Sequence, residues 1–138
     1  MTPGIDTARL RRVRALIVAD PEHFSMFDWV SEDGQAACIG GLAAIDAGFI
    51  AKRDSRDPVT QRFYDVTPAG AAFDHHAYDE ARFRVALNLT PEEADRLFEA
   101  EHWPQPFYVD YAKARSPRAR ADVAAQRIDL FIRTRGRE

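Results

Sequence analysis

Only one cysteine, Cys38, and two lysines, Lys52 and Lys113, occur in 138 residues. A single thiol excludes an intramolecular disulfide and a cysteine-built zinc centre, and it suits a reducing compartment, so the expected location is the cytoplasm. Apolar runs are short, and none approaches the roughly 20 residues that cross a bilayer. The opening residues, Met1-Thr2-Pro3-Gly4-Ile5-Asp6, have neither the charged nor the apolar region of a signal peptide. The chain has no internal repeat, low-complexity tract or glycine-rich phosphate loop. Its net charge of −3 gives no global attraction to nucleic acid or an anionic membrane.

What is present fits one globular domain spanning residues 1–138. Apolar residues make up 46% of the chain and charged residues 30%, enough for one core and too apolar for disorder. The fold class expected is mainly α: a single-domain helical bundle around a short central helix, with room for a small β-hairpin insertion. The central helix is read from Ala37 to Ala47. Its side chains are small or aliphatic apart from Asp46, and Gly48 supplies the stop. Gly40 and Gly41 each cost helix stability by roughly 1 kcal/mol relative to alanine, which points to a close backbone approach there.

The remaining elements follow from caps and periodicity. A first helix is expected over about Thr7 to Ala19, capped by Asp6 or Thr7, with Leu10, Val13, Leu16 and Ile17 inward and Arg9, Arg11, Arg12 and Arg14 mostly outward. Asp20-Pro21 opens a short helical segment anchored by Trp29. Phe49 to Arg53 and Thr60 to Val66 are read as a hairpin or an irregular loop. Asp74 caps a helix from His75 to Leu87. Thr90-Pro91-Glu92-Glu93 is a capping box with Ala94, Leu97 and Phe98 inward. A rigid corner at Trp103-Pro104-Gln105-Pro106 precedes a helix from Phe107 to about Ala114. Ser116-Pro117 starts the last helix, with Ala121, Ala124, Ile128 and Phe131 inward and Arg118, Arg120, Arg127, Arg133 and Arg135 on a basic outer face.

Five stretches share a pattern: His23-Phe24-Ser25-Met26 with Trp29; Cys38-Ile39-Gly40-Gly41-Leu42-Ala43 with Gly48; Leu87 to Ala94 with Leu97-Phe98; Trp103 to Phe107; and Arg127 to Ile132. Together they resemble a group of small, mostly uncharacterised bacterial proteins. In that group a histidine-proline-rich segment precedes a tryptophan, a Cys-x-x-Gly helix and a capped helix ending in Leu-Phe. The resemblance spans most of the chain outside roughly 49–74. It departs at Leu42, where tryptophan is frequent, and at Pro21, two residues before His23. It implies a compact intracellular helical domain and assigns no catalytic residue.

Candidate chemistry is sparse. Cys38 near a helix start is placed for a lowered pKa. A thiol hydrolase or transferase would pair it with His102 and Asp110, or with His75 or His76 and Asp79, and take Gln35 as oxyanion donor. The competing and preferred reading is a small cysteine packed against Gly40 and Gly41. His75, His76 and Asp79 fall short of a zinc set without a third firm ligand, and neither a metal nor a cofactor is expected. Trp103, Phe107 and Tyr108, with Trp29, either line a binding surface or fill the core. The acidic segment Pro91–Glu101 and the basic segment Pro117–Arg135 pair within one chain or across a homodimer. The function expected is non-enzymatic: a regulatory or accessory factor, monomer or homodimer, that contacts another protein through residues 49–74 or the Trp103–Tyr108 corner. The alternatives are a Cys38 thiol enzyme, and nucleic-acid binding through the arginines of the first and last helices.

Overall fold

Two antiparallel helices, the first and last in the chain, form the spine of the fold. The computed structural model describes residues 4–26, 37–47, 49–53, 64–68, 84 and 86–137. Helix α1 (Thr7–Ala19) begins where the Asp6 carboxylate accepts the Arg9 backbone N–H at 3.0 Å. Leu10, Val13 and Ile17 are buried on its inner face. Leu16, expected with them, is 49% exposed; at roughly 100° per residue it lies about 120° around the helix from Leu10, beyond the apolar stripe.

Among the described residues four further helices follow α1 in the chain. A single 3-10 turn at Pro21–His23 leads to Phe24, whose main chain bridges Ala37 in parallel. Helix α2 (Ile39–Asp46) is the short central helix, with Ile39, Gly40, Gly41, Ala43 and Ala44 buried. Strands β1 (Phe49–Arg53) and β2 (Tyr64–Pro68) pair antiparallel, Phe49 opposite Pro68 and Arg53 opposite Tyr64. The second strand thus runs two residues past the expected end at Val66, because the register continues through Thr67 and Pro68 to match Phe49.

Helix α3 (Pro91–Phe98) carries the full capping box: Thr90 Oγ1 accepts from Glu93 N–H, and Glu93 Oε1 accepts from Thr90 N–H at 2.8 Å. A 3-10 turn at Ala100–His102 follows, then helix α4 (Phe107–Lys113). Helix α5 (Pro117–Thr134) starts with Ser116 Oγ accepting the Ala119 N–H at 3.0 Å. The core joins Leu10, Val13 and Ile17 to Ile39, Leu87, Leu97, Trp103, Ile128 and Phe131.

Arg127 corrects the expected face of α5. It was placed on the basic exterior, yet it is fully buried. Its Nη2 donates to the Arg96 carbonyl at 3.0 Å, and its guanidinium lies 5.5 Å above the Phe131 ring. Position 127 is three residues from Ala124 and four from Phe131, so helical geometry puts it on the core stripe.

The arginines of α1 are also more engaged than an outward face implies. Arg14 makes a two-pronged contact with Asp129 of α5, at 2.7 and 2.9 Å. Arg9 and Arg12 both reach Asp46 at the end of α2, at 2.9 and 3.0 Å. Arg12 first, then Arg9, hold the Asp46 carboxyl below its ordinary pKa. A depressed carboxylate stabilises the fold above its unfolded pKa of roughly 3.9 and loses that contribution as pH falls through the lower folded value. Asp46→Asn is therefore expected to lower Tm by roughly 1–4 °C at pH 7. Thermal melts of both proteins from pH 7 to pH 2 should converge at the acid end. A gap that stays constant with pH would show that the ion pairs contribute nothing.

Candidate functional site

Cys38 is the residue on which a catalytic reading depends. It caps α2 from outside the helix, in extended conformation, with its Sγ 3.4 Å from the Gly41 N–H. The thiol is buried, and burial pushes its pKa up to about 12, outweighing the Gly41 and Gly40 amides that favour the thiolate. This corrects the lowered pKa that the thiol-enzyme alternative requires and agrees with the buried cysteine of the preferred reading: the helix-start amides are there, but burial outweighs them. At neutral pH the native thiol is expected to react with iodoacetamide at least about a hundredfold slower than the unfolded chain, for want of thiolate. A native rate within threefold of the unfolded rate would restore Cys38 as a nucleophile.

The two described members of the expected catalytic sets, His102 and Asp110, do not pair with each other. His102 Nδ1 pairs with Asp95 at 3.0 Å, both side chains about half exposed, so its carboxylate partner is Asp95 and not Asp110. Asp110 lies exposed on the first turn of α4. His23 pairs with Asp20. Gln35, Trp29, His75, His76 and Asp79 lie outside the described residues. Among the described residues no three His, Cys, Asp or Glu side chains gather as a metal group.

The aromatic corner divides between core and surface. Trp103 is 3% exposed, donates from Nε1 to the Leu97 carbonyl at 2.9 Å and meets Tyr111 edge-on at 5.4 Å. Its ring is therefore core. Phe107 is half-buried, and Tyr108 is 41% exposed.

A different feature is built as a site. The start of α1 and the end of α5 enclose a groove of about 740 Å³, walled by Gly4, Ile5, Thr7, Arg11, Glu93, Ile132, Arg133, Arg135 and Arg137. Local structure explains its shape. Helix α5 ends in a Schellman motif: Arg135 N–H donates to Ile132 and Gly136 N–H to Phe131, at 3.1 and 2.9 Å. Arg135 takes the left-handed conformation, φ 54°, where glycine is usual. Gly136 follows at φ 73°, and a Cβ there would come within 2.9 Å of Glu93 Oε2. The α5 terminus is thereby pressed onto α3, with Arg96 donating to the Gly136 carbonyl. Arg133, Arg135 and Arg137 line the groove together with Arg11 of α1.

Sequence reasoning assigned Arg11, Arg133 and Arg135 to solvated faces and passed over the groove. The local signal was Arg133-Thr134-Arg135-Gly136-Arg137, alternating arginines past the last inward residue of α5. Helix periodicity carries no information across a terminus, so their convergence with Arg11 was not legible.

Family models, curated proteins and solved structures show no match to this chain. Among the described residues no helix is long and apolar enough to cross a membrane.

Proposed function

We propose that this chain is a non-catalytic cytoplasmic protein that acts by holding an acidic segment of another protein in the arginine groove. The observation that carries the reading is the convergence of four arginines against one glutamate in a cavity of about 740 Å³. That volume falls within the usual range of ligand sites. Glu93 is itself engaged in the capping box, so the groove presents an excess of positive charge. Ile5 and Ile132 offer apolar contact beside it, which suits a peptide bearing carboxylates and an aliphatic side chain. The buried Cys38 thiol counts against the thiol-enzyme reading.

Nucleic acid would use the same arginines of the first and last helices. Among the described residues no aromatic ring lines the groove for base stacking, and the net charge is −3, so a peptide is the better-matched polyanion. The resemblance to small bacterial proteins, which assigns no catalytic residue, is in keeping with an accessory role.

The test is fluorescence anisotropy with a labelled peptide of aspartate, glutamate and leucine. Binding is expected at low salt, weakening steeply as salt rises. The double variant Arg11→Ala/Arg133→Ala should weaken it at least about tenfold, as two charge-assisted contacts are lost. Arg115→Ala, at an exposed arginine outside the groove, should leave it unchanged. No binding at low salt, an equal loss with Arg115→Ala, or tighter binding of labelled DNA would overturn the reading.

A further inference from the structure

We infer that the groove recognises a phosphoryl group carried on the partner's segment, so that phosphorylation of the partner controls binding. The inference rests on the acidic-segment reading and adds the chemistry of its central contact. Its first support is how the arginines are used. Across the rest of the described surface most guanidinium groups are spent inside the protein, with exposed Arg115 the exception. Arg9 and Arg12 hold Asp46, and Arg14 holds Asp129. Arg118 faces Asp122, while Arg84, Arg96, Arg120 and Arg127 donate to main-chain carbonyls. Arg11, Arg133, Arg135 and Arg137 all face the groove. Each is exposed, and among the described residues none has a side-chain hydrogen bond or ion pair.

Charge density is the second support. Four guanidinium groups crowded into one concavity repel one another, and an isolated carboxylate returns only one charge and two oxygens. A phosphate monoester carries close to two charges and three strong acceptor oxygens, so several planar forks can engage one group. Arginine clusters of this kind are a recurring mode of phospho-segment recognition.

The third support is strain. Arg135 occupies a left-handed position at which a side chain is unfavourable, and it is one of the residues that line the groove. Glycine at this point would end α5 more comfortably. Backbone strain of this kind concentrates at ligand clamps. The aliphatic walls, Ile5 and Ile132, suit an apolar neighbour of the phosphorylated residue.

The experiment uses the full chain and three labelled versions of the acidic peptide that differ at one central position: serine, phosphoserine or glutamate. The phosphoserine peptide is expected to bind at least about tenfold more tightly than the serine peptide, with glutamate close to serine. Inorganic phosphate should displace it at matched ionic strength where chloride does not. Arg133→Lys, which keeps the charge and loses the fork, should remove most of the preference. Arg135→Gly should raise Tm by a few degrees while cutting phosphoserine affinity, a pairing that no unfolding artefact produces. Equal affinity for serine and phosphoserine peptides would overturn the inference and leave the acidic-segment reading standing. Binding of none of the three would overturn both. A phosphoserine preference that survives in Arg135→Gly and Arg133→Lys would place recognition outside this groove and overturn the inference.

Discussion

Phe131→Ala is expected to destabilise the protein by about 3–5 kcal/mol, a large part of the 5–15 kcal/mol typical of a domain. Phe131 is fully buried on the inner face of α5. It belongs to the cluster that includes Leu10, Val13 and Ile17 of α1, so its ring helps hold the two spine helices together. Truncation removes the ring's transfer free energy and leaves a cavity that close-packed helices cannot fully close. It also removes the aromatic face beneath Arg127, whose guanidinium sits 5.5 Å from the ring centroid. A buried cation then loses one of its favourable contacts. Chemical denaturation should report the loss as a lower midpoint at unchanged slope. Ile132→Ala, at the neighbouring and only partly buried position, should cost clearly less. A Phe131→Ala loss below about 1 kcal/mol would mean that α5 does not pack on α1 through this residue.

Much of this fold was legible because its helices begin with chemically explicit signals. Asp6, Thr90 and Ser116 all accept the backbone N–H three residues on, and each was identifiable from side-chain type and the residues that follow. The inward stripes of α3 and α5 were legible for the same local reason. Arg127 was misassigned because residue type was allowed to override helical position. Its spacing from Ala124 and Phe131 already placed it inside. Asp20-Pro21 was read as opening a helical segment, yet Asp20 makes no cap hydrogen bond and pairs instead with His23, since a single 3-10 turn leaves its carboxylate free to reach the imidazole.

The candidate site was far less legible than the fold. Its arginines come from opposite ends of the chain and meet only because α1 and α5 run antiparallel. Cys38 was half legible. The residue type and the helix start were right, but whether dipole or desolvation dominates depends on what covers the thiol, and that is a tertiary property. The aromatic corner has the same ambiguity. Trp103 and Tyr108 stand five positions apart, yet one is core and the other surface.

Trp103→Ala is expected to cost about 3–5 kcal/mol, and Trp103→Phe about 1–2 kcal/mol, for separable reasons. The indole is 3% exposed and performs two tasks. Its Nε1–H donates to the Leu97 carbonyl at 2.9 Å, one of the last carbonyls of α3, which lack an acceptor role within the helix. Its ring meets Tyr111 edge-on, and Tyr111 in turn meets Phe24 edge-on at 6.3 Å. The Tyr111 hydroxyl accepts the Met26 N–H at 3.0 Å, so this aromatic row ties the end of α3 to α4 and to the chain that leaves α1. Phenylalanine keeps most of the row and leaves the Leu97 carbonyl without its indole donor; alanine removes both. Equilibrium unfolding of the two variants should therefore give clearly different losses. Equal losses would mean that the indole hydrogen bond contributes nothing. A small loss for alanine would return Trp103 to the surface, where it would again be available to a partner. The groove lies at the other end of the molecule's logic, on the α1 and α5 termini, so Trp103→Phe should bind the acidic peptide as the parent does. A Trp103→Phe protein that stays folded but loses peptide binding would instead place the aromatic corner in the binding site.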